Sequence, residues 1–449
     1  MISLVVVIVS FLSIILSKYL FRKWINHLSL YSVIWTVMLV LYQWKLLPYY
    51  NLSLETWMVI IVGYLSFLLG IILIFAARSL NDKEKEIFPN MASIQLKIFA
   101  DGGEILKYSI LIMGFIGLVS AIQHWIVLIR MFGNIPAVII NANILYRLRV
   151  DNEIKGVIPY FFIFSYVGVF LSGIYTAYKK KLTLIVLLPF LGVIIEEIAK
   201  VGRAGILLSF LEFFASFVLS RNLLKEKREV KKEKKYKMIV SIVSLIAFII
   251  ISASFIKMIR GTYESFSGES RQLKSLKRSS IISPSIYLYF SADVGVLNKY
   301  LQYENENTMF GENTFLVFYS ALSKFGVVKK PSDYQTGYFI PMWTNTGTYL
   351  RELHADFGYT GIIIGPFLIG LLTTFLWFRF YETEKIIYLV WLNLFYVIIG
   401  FSFFVMATRI SILIIYIFIS AITAPIIETL AEKNLKKKRS RNVLLFQNN

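Results

Sequence analysis

The sequence predicts an all-α polytopic membrane protein with about eleven transmembrane helices and a large external loop. Hydrophobic residues make up 57% of the 449 positions and charged residues only 16%. Apolar stretches close to the roughly 20 residues that cross a bilayer recur along the whole chain. Lysine and arginine are gathered into a few short runs between those stretches, as in a membrane protein oriented by its basic loops.

In chain order the expected spans are Ile2 to Leu20, Leu30 to Leu46, Trp57 to Ala76, Tyr108 to Ile129, Val157 to Tyr175, Leu182 to Ile198, Ala204 to Leu219, Met238 to Phe255, Gly361 to Phe378, Ile387 to Met406 and Ser411 to Ile427. The first has the apolar character of a signal-peptide core. Met1 is followed by no basic residue and no small-residue cleavage site, so it is expected to be a retained span. The segments group into an N-terminal and central bundle (1–220), a basic linker (221–237), a C-terminal block (238–430) that contains the loop 258–357, and a basic tail (431–449).

Charge sets the expected orientation. The linker carries nine Lys/Arg residues, the stretch Lys433 to Arg441 carries six, and Lys179 to Lys181 form a tight basic hinge. Two expected spans separate hinge from linker and four separate linker from tail, so all three share one side. Placed in the cytoplasm, they put the N-terminus outside, the C-terminus inside, and the loops near 130–156, 199–203 and 258–357 on the external face. The net charge of +20 then reads as a signal of topology and anionic lipid, with no nucleic-acid partner expected.

The chain has no cysteine, which excludes disulfides, thiolate metal sites and cysteine nucleophiles. His27, His124 and His354 are too scattered for a zinc motif. Asp333, Glu352 and Asp356 share the large loop without metal-ligand spacing, so no metal is expected.

Three clusters carry chemistry. In EEIAKVGRAG, Glu196 and Glu197 end one expected span and Arg203 stands between Gly202 and Gly205 at the start of the next. Charge at membrane depth is costly unless it is paired or meets a polar cavity. Lys200 and Arg203 pairing with the two glutamates is one reading; Arg203 holding a phosphate bidentately, with glycines allowing close approach, is the other. Arg260, at the end of Met238 to Phe255, is a second candidate on the same external side. Arg147 and Arg149 form a further basic site, followed by Asp151 and Glu153 that can neutralise it; positioning of a phosphate or an acceptor is the functional alternative.

The third cluster is WTNTGTYLRELHADFGYTG, 343 to 361. If Tyr349 to Phe357 is helical, Leu350 and His354 share a face, Arg351 and Ala355 another, and Glu352 and Asp356 form an i,i+4 pair. His354 is the candidate acid-base group, because imidazole titrates near neutrality; Asp356 and Glu352 are its substitutes, with Arg351 beside them. Trp343, Asn345, Thr346 and Tyr349 are candidates for binding an acceptor. Two short runs earlier in the loop, Pro284 to Val296 and Phe315 to Ser323, are expected to be interfacial amphipathic elements, with Tyr287, Tyr289, Phe290, Tyr300 and Tyr303 supplying aromatic density.

The many spans, the GRAG element at 202 to 205, the large loop and NTGTYLRELHADFGYTG at 345 to 361 together resemble the O-antigen or capsular oligosaccharide repeat-unit polymerases, the Wzy-like family. That resemblance implies a GT-C-like polymerase/ligase architecture in the bacterial plasma (inner) membrane. It implies a metal-independent glycosyltransferase with no cofactor, using undecaprenyl-pyrophosphate-linked oligosaccharide as both donor and acceptor. A chain-length regulator and a flippase are the implied partners. Arg203 would bind pyrophosphate or position the chain, Arg351 with Asp356 would belong to the external catalytic surface, and Arg260 and His354 would assist. The chain lacks the duplicated Arg-rich loop of some relatives, so Arg147 and Arg149 have no clear counterpart. A ligase that transfers glycan to another lipid is one alternative, and an exporter of lipid-linked polysaccharide is the other. An exporter predicts polar residues that continue through the membrane instead of collecting outside it.

Overall fold

A computed structural model describes residues 2–81, 96–150, 153–223, 284–303, 308–332, 335–340 and 343–447. Its helices are α1 (Ile2–Phe21), α2 (His27–Trp44), α3 (Leu54–Asn81), α4 (Glu104–Phe132), α5 (Ile135–Ile140), α6 (Ala142–Val150), α7 (Ile163–Lys179), α8 (Leu184–Ala199) and α9 (Ala204–Leu223). They continue with α10 (Pro284–Ser291), α11 (Asp293–Tyr303), α12 (Leu316–Lys324), α13 (Tyr349–Thr383), α14 (Ile386–Phe401) and α15 (Ser411–Gln447). Between α12 and α13 a short antiparallel pair, β1 (Tyr338–Phe339) and β2 (Trp343–Thr344), sets Tyr338 opposite Thr344 and Phe339 opposite Trp343.

The chain is a mostly helical, multi-pass membrane protein. Among the described residues six helices are long and apolar enough to cross a bilayer: α1, α3, α4, α9, α13 and α15. This corrects the expected eleven. Four of the other expected segments are helices that fall short. α7 has 17 residues, while α8 and α14 have 16 each. α2 is longer but diluted by His27, Ser29, Ser32 and Gln43. The eleventh, Met238 to Phe255, lies outside the described residues, as do the basic linker beyond Leu223, Arg260, Asp151 and Asp333.

The chain divides into two compact units, each drawn from separated stretches. The first comprises Met1–Ile87, Glu264–Phe375 and Phe395–Ile414. In it α3 and α13 touch backbone to backbone: a Cβ on Gly70 would lie 2.2 Å from the Phe367 carbonyl oxygen, and one on Gly370 would lie 2.2 Å from that of Phe67. Small residues at such crossings replace a hydrophobic driving force with close van der Waals contact. Asn26 caps α2 by accepting from the Ser29 amide. The buried rings of Tyr31 and Phe67 stack at 4.3 Å, and His27 Nε2 meets Thr374 Oγ1 at 2.9 Å.

The feature of this unit that positions chemistry is a break inside α13. Gly358 adopts φ 63° and ψ −153°, a backbone state open essentially to glycine alone. A Cβ on Gly361 would meet the Leu353 carbonyl oxygen at 2.2 Å, and Gly365 faces the Leu353 side chain. In a continuous helix Leu353 and Gly361 would stand about 12 Å apart along the axis. The segment 349–357 is therefore a separate short helix turned sharply against the start of the long one.

The second unit comprises Phe88–Tyr263, Leu376–Leu394 and Ile415–Asn449. Here α4, α7, α8 and α9 pack through small residues. Gly114 and Gly168 lie against Pro189, Gly117 and Gly192 against Ser165, and Gly173 against Ser216. Asp101 caps α4 by accepting from the amides of Gly103, Glu104 and Ile105 at 2.9–3.1 Å. Leu128, Val138, Ala142, Leu145, Ala199, Val201 and Ile206 form a buried core beside the GRAG element.

Candidate functional site

The short helix 349–357 carries Arg351, Glu352, His354 and Asp356, and all four are buried within the first unit, from fully buried at Arg351 to 9% exposed at His354. Arg351 donates to the carbonyls of Thr336, at 2.6 Å, and Asn345, at 3.4 Å. Its guanidinium lies over the rings of Tyr338 and Tyr300 at 5.4 and 5.9 Å. The residue expected on the external catalytic surface thus fastens the β1–β2 segment to the helix.

Asp356 accepts four hydrogen bonds at 2.7–2.9 Å, from the amide and side chain of Asn313 and from the amide and hydroxyl of Thr314. Four donors occupy a carboxylate's lone-pair directions, so Asp356 orders the turn that leads into α12. Arg409 extends the network by donating to Asn313 Oδ1 and, at 3.0 Å, to the Ser332 carbonyl. Burial lowers the Arg409 guanidinium's affinity for its proton, while Glu352, Asp356 and Glu312 act in the opposite sense.

His354 is the least buried of the four, at 9% exposed. Its Nδ1 bonds the Tyr300 hydroxyl at 2.9 Å, and the rings of Tyr300 and Tyr359 meet it edge-on at 5.6 and 4.8 Å. Tyr359 in turn donates to Glu55 at 2.5 Å. Asp293, at the first turn of α11, is 1% exposed. Burial, reinforced by Glu352, pushes its carboxyl well above the usual carboxylate range, against the pull of Thr346 and Arg351.

The four acceptor candidates separate. Trp343 is 67% exposed with its ring against Gly337; Asn345 is exposed and Thr346 half-buried. Tyr349 is buried, its hydroxyl 2.8 Å from that of Tyr31, and serves packing. Of the loop aromatics, Tyr287 and Tyr300 are buried while Phe290 and Tyr303 are exposed. The expected amphipathic element around α12 presents Phe315, Phe318 and Leu322 outward.

The phosphate candidates Arg203, Arg147 and Arg149 belong to the second unit. Glu196 Oε1 binds Lys200 Nζ at 2.9 Å and His124 Nδ1 at 3.1 Å, and Glu197 Oε2 accepts from the Gly205 amide at 3.0 Å. Lys200 therefore pairs with Glu196 as one sequence reading held. Arg203 is half-buried, and its Nε has no hydrogen-bond partner among the described residues. Arg149 donates to the Lys200 carbonyl at 2.6 Å, capping the end of α8, and Arg147 is exposed.

Sequence reasoning missed Asp293, Asn313, Thr314 and Arg409 in the first unit; it named Tyr300 only for aromatic density and His124 only as a histidine too isolated for a zinc motif. Each comes from an element distant in sequence from its partner, and an isolated Asp at the start of a short helix or a Tyr near its end carries no motif. Comparison with protein-family models, curated proteins and solved structures gives no match.

Proposed function

We propose that this membrane protein is a metal-independent glycosyltransferase that polymerises undecaprenyl-pyrophosphate-linked oligosaccharide repeat units at the external face of a bacterial plasma membrane. The GT-C-like architecture and the cytoplasmic C-terminus belong to the same proposal. The observation that carries it is the concentration of Arg351, Glu352, His354 and Asp356 on one short helix, broken at Gly358 from a long apolar span. A water-facing reaction on a lipid-anchored substrate needs polar chemistry fixed to the top of a membrane helix.

In this mechanism an acceptor hydroxyl attacks the donor's anomeric carbon. The new C–O bond forms as the bond to the lipid pyrophosphate breaks, with inversion. His354 takes the hydroxyl proton through Nε2 while Nδ1–H donates to Tyr300, which fixes the tautomer. Glu352 and Asp293, both 1% exposed, act on the site electrostatically without touching substrate. Trp343, Asn345 and Thr346 contact the acceptor. Arg409, in the same unit as His354, is a candidate to assist the departing pyrophosphate that the sequence did not suggest.

The test is mass analysis of products after purified protein receives its host's lipid-pyrophosphate-linked repeat unit. A ladder spaced by one repeat mass supports polymerisation; a single transfer to a different lipid identifies a ligase instead. The exporter reading is favoured by one observation, the buried polar residues along α9. Leaflet exchange of the substrate without a new glycosidic bond would establish it and overturn the polymerase.

A further inference from the structure

The second unit encloses a carboxyl that the proposed reaction leaves unused. Glu212, midway along α9, is fully buried, and neither oxygen has a hydrogen-bond partner among the described residues. α9 is the most enclosed of the six candidate spans. An ionised carboxylate in such a place lacks both water and a countercharge, which costs several kcal/mol or more by general estimates. Ionisable groups at membrane depth persist where they work.

The surroundings of Glu212 are polar at helical spacing. Ser209, Glu212, Ser216 and Ser220 lie on one face of α9, each at most 1% exposed. The Glu212 carboxyl acts electrostatically on the hydroxyls of Tyr166 on α7 and Tyr416 on α15, whose rings stack at 6.3 Å. Tyr166 Oη also has no hydrogen-bond partner among the described residues. It lies 2.3 Å from the point where a Cβ on Gly205 would stand, with the Glu197 carboxyl 2.4 Å from the same point. Asn393 on α14 donates to Tyr416 Oη at 3.4 Å. The titratable groups facing Glu212 are thus Tyr166 and Tyr416, with Glu197 and Glu196 on α8 beyond Tyr166. No cationic side chain among the described residues acts on it.

We propose that Glu212 is an intramembrane proton-binding site, and that reorientation of the Tyr166 hydroxyl, which has no partner among the described residues, hands the proton on to Glu197 and so to the polar end of α8. The bound proton supplies the compensation that no side chain provides, and it exchanges with water along the hydroxyl-to-carboxyl path. Nothing in this site depends on the glycosyltransferase reading.

The test is infrared difference spectroscopy on the full chain in liposomes, comparing wild type with Glu212→Gln, an isostere expected to fold. Wild type should show, at neutral pH, a protonated-carboxyl carbonyl band absent from E212Q, and that band should shift on transfer to D2O. Tyr166→Phe should keep the band but slow its shift by on the order of tenfold or more, as loss of a proton-relay group does. A carboxylate band in place of the protonated one overturns the proposal. Loss of the protonated band on adding Na⁺ at constant pH also overturns it, in favour of a cation site, and an exchange rate unchanged in Y166F overturns the path.

Discussion

Asp356, Asp293 and His354 differ in what surrounds them, and that difference decides what each substitution does. Asp356→Ala leaves the amides and side chains of Asn313 and Thr314 without their acceptor. It should cost roughly 3 kcal/mol or more, read as a lower unfolding temperature in detergent, with activity lost alongside stability. His354→Ala should instead lower turnover by about 10²–10⁴-fold with little change in unfolding temperature, and Tyr300→Phe should move the pH profile of kcat while leaving the fold intact. Asp293 carries a linkage effect. Its folded carboxyl binds a proton more tightly than the unfolded one, so the associated stability is complete below the unfolded value of about 4 and is lost as pH rises through the elevated folded value. Wild-type unfolding temperature should therefore fall with rising pH over that window, and Asp293→Asn should flatten the curve. The motif reading reached His354, Glu352, Arg351 and Asp356 because they sit on one contiguous stretch at helical spacing. It placed Arg351 with Asp356 on an external catalytic surface through the family resemblance; that the Arg351 guanidinium lies over the rings of Tyr300 and Tyr338 is announced by no local pattern.

Among the elements, α13 and its break decide most. Gly358→Ala meets open space around its Cβ, so its cost is the backbone alone, about 1–3 kcal/mol. The short helix should swing away from Gly361 with it, reducing both thermal stability and transfer. The α3–α13 crossing offers a contrast. Gly370→Ala drives a methyl into backbone and should cost on the order of 1–3 kcal/mol, while Gly63→Ala presses only on the Leu350 side chain at 3.0 Å and should cost less, as parallel unfolding curves would reveal. The helices themselves were legible as apolar runs, and the four expected segments that fall short retain helical structure. What hydropathy overestimated was their reach, because apolar average does not register where Lys180 turns to φ 55° or where polar side chains end a run. The break at Gly358 left a trace in the sequence, a glycine between Phe357 and Tyr359, yet glycine in a membrane helix more often serves packing.

For the whole molecule, the absence of cysteine makes single-cysteine labelling from either side of sealed vesicles a direct test of the proposed topology. Cysteines at Lys181 and Lys437 should react from the same side, and one at Trp343 from the opposite side. The interleaved composition of the two units was not legible, because a partition by consecutive stretches follows chain order while packing groups residues by proximity. Uninterrupted, the 35 residues of α13 would run about 52 Å, far beyond a hydrocarbon core of about 30 Å. The turn at Gly358 leaves residues 359–383, about 37 Å, which a tilt of roughly 35°, inside the range of membrane helices, accommodates. The height of the short helix 349–357 above the lipid is therefore metered by one span, so the proposed transfer should respond to bilayer thickness. Turnover in vesicles whose acyl chains range from about 14 to 22 carbons should pass through a maximum, with hydrophobic mismatch on either side drawing His354 out of register with substrate anchored in the same leaflet.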